Sequence, residues 1–194
     1  MRADMNHLLE VKNLSYAYHT LQGETPVLDR VSFSIEPGEF VAIVGPSGCG
    51  KSTLLSLICR LLQPDQGEIL LQKDKKTGYM LQKDHLLEWR TTHKNIALGP
   101  EINHQSANGL PQKIDNMLKK YQLDGFRNAK PNQLSGGMRQ RAALIRTLML
   151  EPDLLLLDEP FSALDYQTRL SVSDDVWAIL KKENKTALLI THDI

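Results

Sequence analysis

Alternating apolar and polar residues open the chain. Residues 8–18, "LLEVKNLSYAY", and 30–36, "RVSFSIE", have the alternation of apolar and polar positions that predicts two half-exposed strands. The stretch between them, "HTLQGET", is polar and contains a glycine, so a hairpin-like connection is expected there. "PGEFVAIV" (37–44) predicts a turn and then an apolar strand of the kind buried in a parallel sheet. It runs into "GPSGCGKST" (45–53) and a helical "LLSLICRLL" (54–62). "PDQG" (64–67) marks a turn, and "EILLQ" and "GYMLQ" predict two further short strands. From about residue 84 the pattern becomes polar, and "SANGLPQKIDNMLKKYQL" predicts a helix with Ile114, Leu118 and Tyr121 on one face. A helix over 136–150, a strand "LLLLD" (154–158), a helix around 167–182 and a strand "TALLIT" (186–191) follow. This order predicts an α/β core made of residues 1–83 and 151–194, with a smaller, mostly helical subdomain, 84–150, inserted in it. The chain stops at "THDI", directly after the last strand, and this predicts that more chain belongs beyond residue 194.

Composition narrows the classes. The 194 residues are 41% hydrophobic, enough for one substantial core and a small attached subdomain. Lys+Arg and Asp+Glu both number 23, so the basic excess usual in a nucleic-acid binder is missing. Cys49 and Cys59 have neither metal-ligand spacing nor the look of a disulfide framework, which predicts a reducing cytosol. The apolar runs, such as "FVAIV" and "LLLL", are strand-sized and too short to span a bilayer, so any membrane connection is expected to go through a partner.

The candidate chemistry is phosphate chemistry. "GPSGCGKST" fits the pattern G-x-x-x-x-G-K-[ST] between a predicted strand and a predicted helix. Gly45, Pro46, Ser47, Gly48, Cys49 and Gly50 can curl so that successive N–H groups converge on a phosphate. Lys51 supplies a mobile positive charge, Ser52 offers a hydroxyl to Mg²⁺, and Thr53 follows on the helix. Asp158, at the end of four leucines, is placed to hold Mg²⁺ directly or through water. Glu159 can point into the same site as a general base. Gln82, closing "GYMLQ", is a neutral amide able to touch both metal and attacking water. His192 follows "LLIT" and can reach a γ-phosphate, the rival being a plain surface histidine. The histidines at 7, 19, 85, 93 and 104 are expected on the surface. "NQLSGGMRQR" (132–141) sets Ser135 as an N-cap before Gly136 and Gly137, a helix start that can hold an anion at a cost of roughly 1 kcal/mol per glycine inside the helix.

"GPSGCGKST", Gln82, "LSGGMRQR", "LLLLDE", "SALD" (162–165) and His192 occur in the order and spacing of the ATP-binding subunit of an ABC transporter, and the resemblance covers essentially the whole chain. It implies an α/β fold: a P-loop NTPase core with a mixed sheet, an antiparallel β subdomain and an inserted helical subdomain. It also implies two subunits packed head to tail on ATP. Ser135, Gly136 and Gly137 would then bind the γ-phosphate of the nucleotide held by the opposite subunit. Tyr18, or else Tyr16, would stack on adenine, and Asp165 would bridge the subunits near Glu159. Glu159 would be the catalytic base and His192 the γ-phosphate sensor. ATP and Mg²⁺ would be the cofactors. Two transmembrane permease subunits and an external solute-binding protein would be the partners, at the cytoplasmic face of the membrane.

"KDHLLEWRTTHKNIALGP", after Gln82, is similar to the importer ATPases for nitrate, aliphatic sulfonates and taurine, with Glu88 where a proline is usual. The stretch from Gly67 to Gln82 is several residues shorter than that group's. Trp89 and Arg90 fit a surface patch that grips a membrane subunit, the rival for Trp89 being burial in the helical subdomain. An ABC exporter ATPase and a soluble ABC-type ATPase share the same motifs. A signalling GTPase would need an N-K-x-D motif in a suitable place, and the chain has none.

Overall fold

A computed structural model describes residues 7–21, 23–105, 108–161, 166–182 and 185–192. Two long strands, β1 (Leu9–Thr20) and β2 (Gly23–Ile35), form an antiparallel hairpin whose pairing runs on to Thr20↔Gly23. The expected seven-residue connection is therefore mostly strand: polar residues such as His19 and Glu24 pair across an exposed ribbon as readily as apolar ones. β4 (Gln66–Leu71) joins the free side of β1, giving an antiparallel sheet ordered β2-β1-β4. Gly67 has φ +84°, and a Cβ there would lie 2.4 Å from the carbonyl oxygens of Lys12 and Asn13, so only glycine lets the two backbones meet.

The second sheet holds β3 (Phe40–Val44), β5 (Thr77–Met80), β6 (Leu154–Asp158) and β7 (Thr186–Thr191), ordered β3-β7-β6-β5. The mixed sheet expected from the family thus resolves into one antiparallel sheet and one whose described strands are all parallel. β6 is buried at every position. Its side chains alternate: Leu154 and Leu156 enter a core with Leu55, Leu57 and Ile35, while Leu155 and Leu157 enter a core with Ile96, Ile114, Leu118 and Ile145. Each fully buried leucine contributes about 2 kcal/mol. β3 corrects an expectation. Its five apolar residues predict a buried strand, yet it lies at the end of the strand order, with Ala42 exposed and Val44 46% exposed.

Among the described residues, five helices connect the strands: α1 (Lys51–Ile58), α2 (Thr92–Ile102), α3 (Leu110–Lys120), α4 (Gly136–Leu148) and α5 (Tyr166–Lys182). α1 is shorter than expected, because Arg60 takes φ 60° just after it. The polar α3 buries Ile114 and Leu118, with Tyr121 at its C-cap, as their spacing predicts. α2 carries Gly99 and Pro100 and has little intrinsic preference for helix. The Thr91 side chain caps it, accepting from the Lys94 amide, and burial of Ile96 and Ala97 holds it.

Candidate nucleotide site

The candidate side chains Lys51, Ser52, Gln82, Asp158, Glu159 and His192 lie at or just past the carboxyl ends of the parallel strands. The loop after β3 turns through Gly48 (φ 82°) and Gly50 (φ 95°) into α1. Val27 of β2 packs against this loop, so a Cβ on Gly50 would lie 2.7 Å from its Cγ1. Lys51, buried, folds back over the loop and donates from Nζ to the Gly45 and Pro46 carbonyls (2.7 and 2.9 Å). Ser52 Oγ donates to Asp158 Oδ1 at 3.0 Å, and the Tyr79 hydroxyl donates to Asp158 Oδ2 at 3.0 Å. Burial pushes the Asp158 carboxyl above its ordinary pKa; the Tyr79 and Ser52 bonds pull it down and Glu159 adds to the rise.

Glu159 is the centre of the cluster. Its φ is 43°, a left-handed conformation that a non-glycine residue holds only when its surroundings fix it. Its amide donates to the Ile190 carbonyl (3.0 Å), tying it to β7. Gln82 Nε2 donates to Glu159 Oε2 at 3.1 Å, while His192 Nδ1 and Lys51 Nζ lie 3.0 and 4.0 Å from Oε1. Lys51, Ser52, Gln82, Asp158, Glu159 and His192 are therefore one contiguous polar cluster. β5 ends at Met80, so Gln82 belongs to the loop after the strand rather than closing it.

Tyr18 and Tyr16 separate by environment. Tyr16 packs against the core below β1, whereas Tyr18 is 43% exposed, with its hydroxyl 3.2 Å from Thr53 Oγ1 beside the phosphate loop. Their rings meet edge-on at 5.1 Å. Ser135 caps α4 as expected, its Oγ accepting from the Met138 amide at 3.3 Å. Ser135 and Gly136 are exposed, and among the described residues no hydrogen bond or ion pair joins 135–137 to the cluster around Glu159. Asp165 lies outside the described residues.

Side chains that motif reading passed over hold the loop after Gln82. Arg139, on α4, donates from Nε and Nη2 to Asp84 (2.8 and 3.1 Å) and from Nη2 to Glu88 (2.9 Å). Arg146, two turns on, clasps the carbonyls of Asp84 and His85 (2.6 and 2.7 Å). Asn95, fully buried, donates to the carbonyls of Leu87, Arg90 and Thr91 and accepts from the Leu87 amide. Trp89 is 75% exposed, which removes the burial reading, and Arg90 bonds Glu101 and the Lys94 carbonyl. His93 corrects another expectation: it is half-buried, its Nε2 is enclosed, and burial lowers its pKa.

The family model described as "ABC transporter" matches residues 28–162. The chain belongs to the ABC transporter family. It is an ATP-binding, ATP-hydrolysing subunit of that family. A formylaminopyrimidine import ATP-binding protein, ThiZ of Halalkalibacterium halodurans, is 42% identical over 98% of this chain and 75% of its own length. An aliphatic sulfonates import ATP-binding protein, SsuB of Bacillus cereus, is 36% identical over 96% and 75%. The ATP-binding cassette MJ0796, solved as a dimer in a post-hydrolysis state bound to ADP and Pi, superposes with a TM-score of 0.81 at 32% identity, covering 95% of this chain and 88% of that one.

Proposed function

We propose that this ABC subunit powers import of a small solute through separate membrane permease subunits, by ATP-driven head-to-tail pairing of two copies. One observation carries the reading. The helix start at Ser135–Gly137, exposed at Ser135 and Gly136, can hold an anion and has no bond to the cluster around Glu159 among the described residues. A γ-phosphate held by one copy's loop would bring the other copy's helix start onto it, completing each site in trans. The 84–150 segment would then act as the signature-bearing unit and the rest as the ATP core. Trp89 would present to the permease at the cytoplasmic face of the membrane, with an external solute-binding protein delivering cargo. The names of the import relatives support a solute of the sulfonate or formylaminopyrimidine kind, and nitrate or taurine rests only on the likeness of residues 83–100.

In this reading residues 45–53 cradle the phosphates and Lys51 exchanges its two carbonyl partners for phosphate oxygens. Tyr18 stacks on adenine, Glu159 accepts the proton of the attacking water, and Gln82 orients that water. His192 reports whether γ-phosphate is present, and Asp165 links the copies. The oxygen donors of Ser52, Gln82 and Asp158 suit Mg²⁺, which takes few protein carboxylates and completes its shell with water and phosphate. When bound, Mg²⁺ would neutralise charge on the transferring phosphoryl group.

Glu159→Gln, which keeps Gln82 and His192 within reach of an amide but removes the base, is expected to bind ATP and shift to a dimer by size-exclusion with light scattering. Ser135→Arg in the same background is expected to abolish the shift. An ATP-bound monomer in both cases sinks the trans-site reading.

A further inference from the structure

We propose that the Tyr79 hydroxyl positions the Asp158 carboxylate, fixing which oxygen faces the phosphate loop and the Mg²⁺ held there. The inference rests on the proposed role of Asp158 in holding the cation, and its test separates the two.

The parallel register puts Tyr79 opposite Leu156. Leu156 and Asp158 share a face of β6, and Asp158 lies two residues further, about 6.6 Å along the strand. A tyrosine leaning along the strand spans that distance, and its hydroxyl reaches Oδ2 at 3.0 Å. The other oxygen, Oδ1, accepts from Ser52 at 3.0 Å. The second torsion of an aspartate is broad and nearly two-fold, so a carboxylate with one partner can turn. Two donors on opposite oxygens set its plane. Ser52 is itself offered to Mg²⁺, so in the loaded site Tyr79 is the donor that stays. Asp158 is only 4% exposed, and water is a poor substitute for the lost bond.

The rival is that Tyr79 merely fills space, since its ring does pack against the core beside α1. Tyr79→Phe keeps the ring and removes only the hydroxyl, so it tells the two apart. The probe is ATP binding to the full chain by calorimetry, with EDTA and with Mg²⁺. The expected result for Tyr79→Phe is unchanged Mg²⁺-free affinity and about a tenfold smaller enhancement by Mg²⁺, the scale of one charge-assisted hydrogen bond. The Mg²⁺ concentration for half-maximal ATPase rises in parallel, with the maximal rate largely kept. An undiminished Mg²⁺ enhancement overturns the proposal. Asp158→Asn is the control on the parent reading: if it too leaves the enhancement intact, Asp158 itself has no part in holding the cation and both ideas fall. In the Asp158→Asn background, Tyr79→Phe is expected to remove no further Mg²⁺ enhancement, and an additive loss shows that Tyr79 does not act through Asp158. Should Tyr79→Phe fold poorly, Tyr79→Leu compared in both backgrounds tests additivity in the same way.

Discussion

Arg139→Ala asks whether charge fastens the loop after Gln82 to α4. Arg139 makes two bonds to Asp84 and one to Glu88, all between 2.8 and 3.1 Å. The Arg139 and Asp84 side chains are 27% and 17% exposed, so the pair lies between two limits. Exposed pairs contribute about 0.2–1 kcal/mol, and breaking a fully buried one costs about 3–5 kcal/mol. Partial burial with two-point geometry places the cost near 2 kcal/mol, with the exposed Glu88 adding little. In a chain of this length that lowers Tm by roughly 4–8 °C. The sign of the pH dependence follows from Asp84. Burial alone would raise its pKa, but the Arg139 bond, the Leu86 amide and the charges of Arg139 and Arg146 outweigh it and leave the carboxyl depressed. Its contribution is therefore full above the unfolded pKa of about 3.9 and fades as pH falls through the lower folded value. The assay is a double-mutant cycle with Asp84→Asn, read by denaturant unfolding at pH 7 and again near pH 3. Expected is a coupling of about 1–2 kcal/mol at pH 7 that shrinks in acid. A coupling under about 0.3 kcal/mol at pH 7 refutes the claim that this pair holds the loop.

Two further outcomes are expected. Gly78→Ala would bring a Cβ to 2.8 Å from Pro152 Cγ and 3.0 Å from Thr147 Cγ2, atoms of a stiff ring and a buried side chain. It should cost about 1–3 kcal/mol by overpacking, and an unchanged denaturation midpoint contradicts the packing described between β5 and α4. The two thiols should label unequally at pH 8: Cys49 is exposed, whereas burial, only partly offset by a bond to Thr77, raises Cys59 to about 11. Cys59 is then about one part in a thousand thiolate, and mass spectrometry after brief alkylation should find Cys49 modified first. Equal labelling argues against the packing around Cys59.

What could be read in the sequence was what depends on neighbours along the chain. Glycines at 48 and 50 announce positive φ, Lys51 and Ser52 start a helix, and Asp158 and Glu159 end an unbroken leucine strand. In a parallel sheet all such strand ends face one edge, so Gln82, Asp158, Glu159 and His192 could be assigned to one site from the sequence alone. The misses have the opposite character. β3 reads as an inner strand because its residues are apolar, but apolarity does not determine whether a strand has one neighbour or two. α2 has no helix signal of its own in the sequence, where Gly99 and Pro100 oppose a helix locally, and tertiary burial of Ile96 and Ala97 holds it. His93 reads as surface because its sequence neighbours are polar, although the chain folds over its Nε2.

The same distinction explains why the contacts that orient the site were invisible. Asp84 and Arg139 are 55 residues apart, and Tyr79 and Asp158 are 79 apart. Neither pair has a spacing rule, because each depends on the register of packed elements rather than on one turn or one helix. Yet both sit next to motif residues: Asp84 two positions after Gln82, Arg139 four after Ser135, and Tyr79 opposite the strand that ends in Asp158. The motif residues touch nucleotide in the proposed reaction, and these neighbours fix the elements that carry them. A loop tied to α4 through Arg139 and Arg146 cannot shift Gln82 far without also shifting the helix whose first turn is Ser135–Gly137. If Gln82 responds to the nucleotide held by its own copy, that tie would carry the response to the half-site offered to the other copy. Loosening it with Arg139→Ala should then leave ATP binding by a single copy intact while weakening ATP-driven pairing of Glu159→Gln. Equal pairing with and without Arg139 would mean that the two half-sites respond to nucleotide independently.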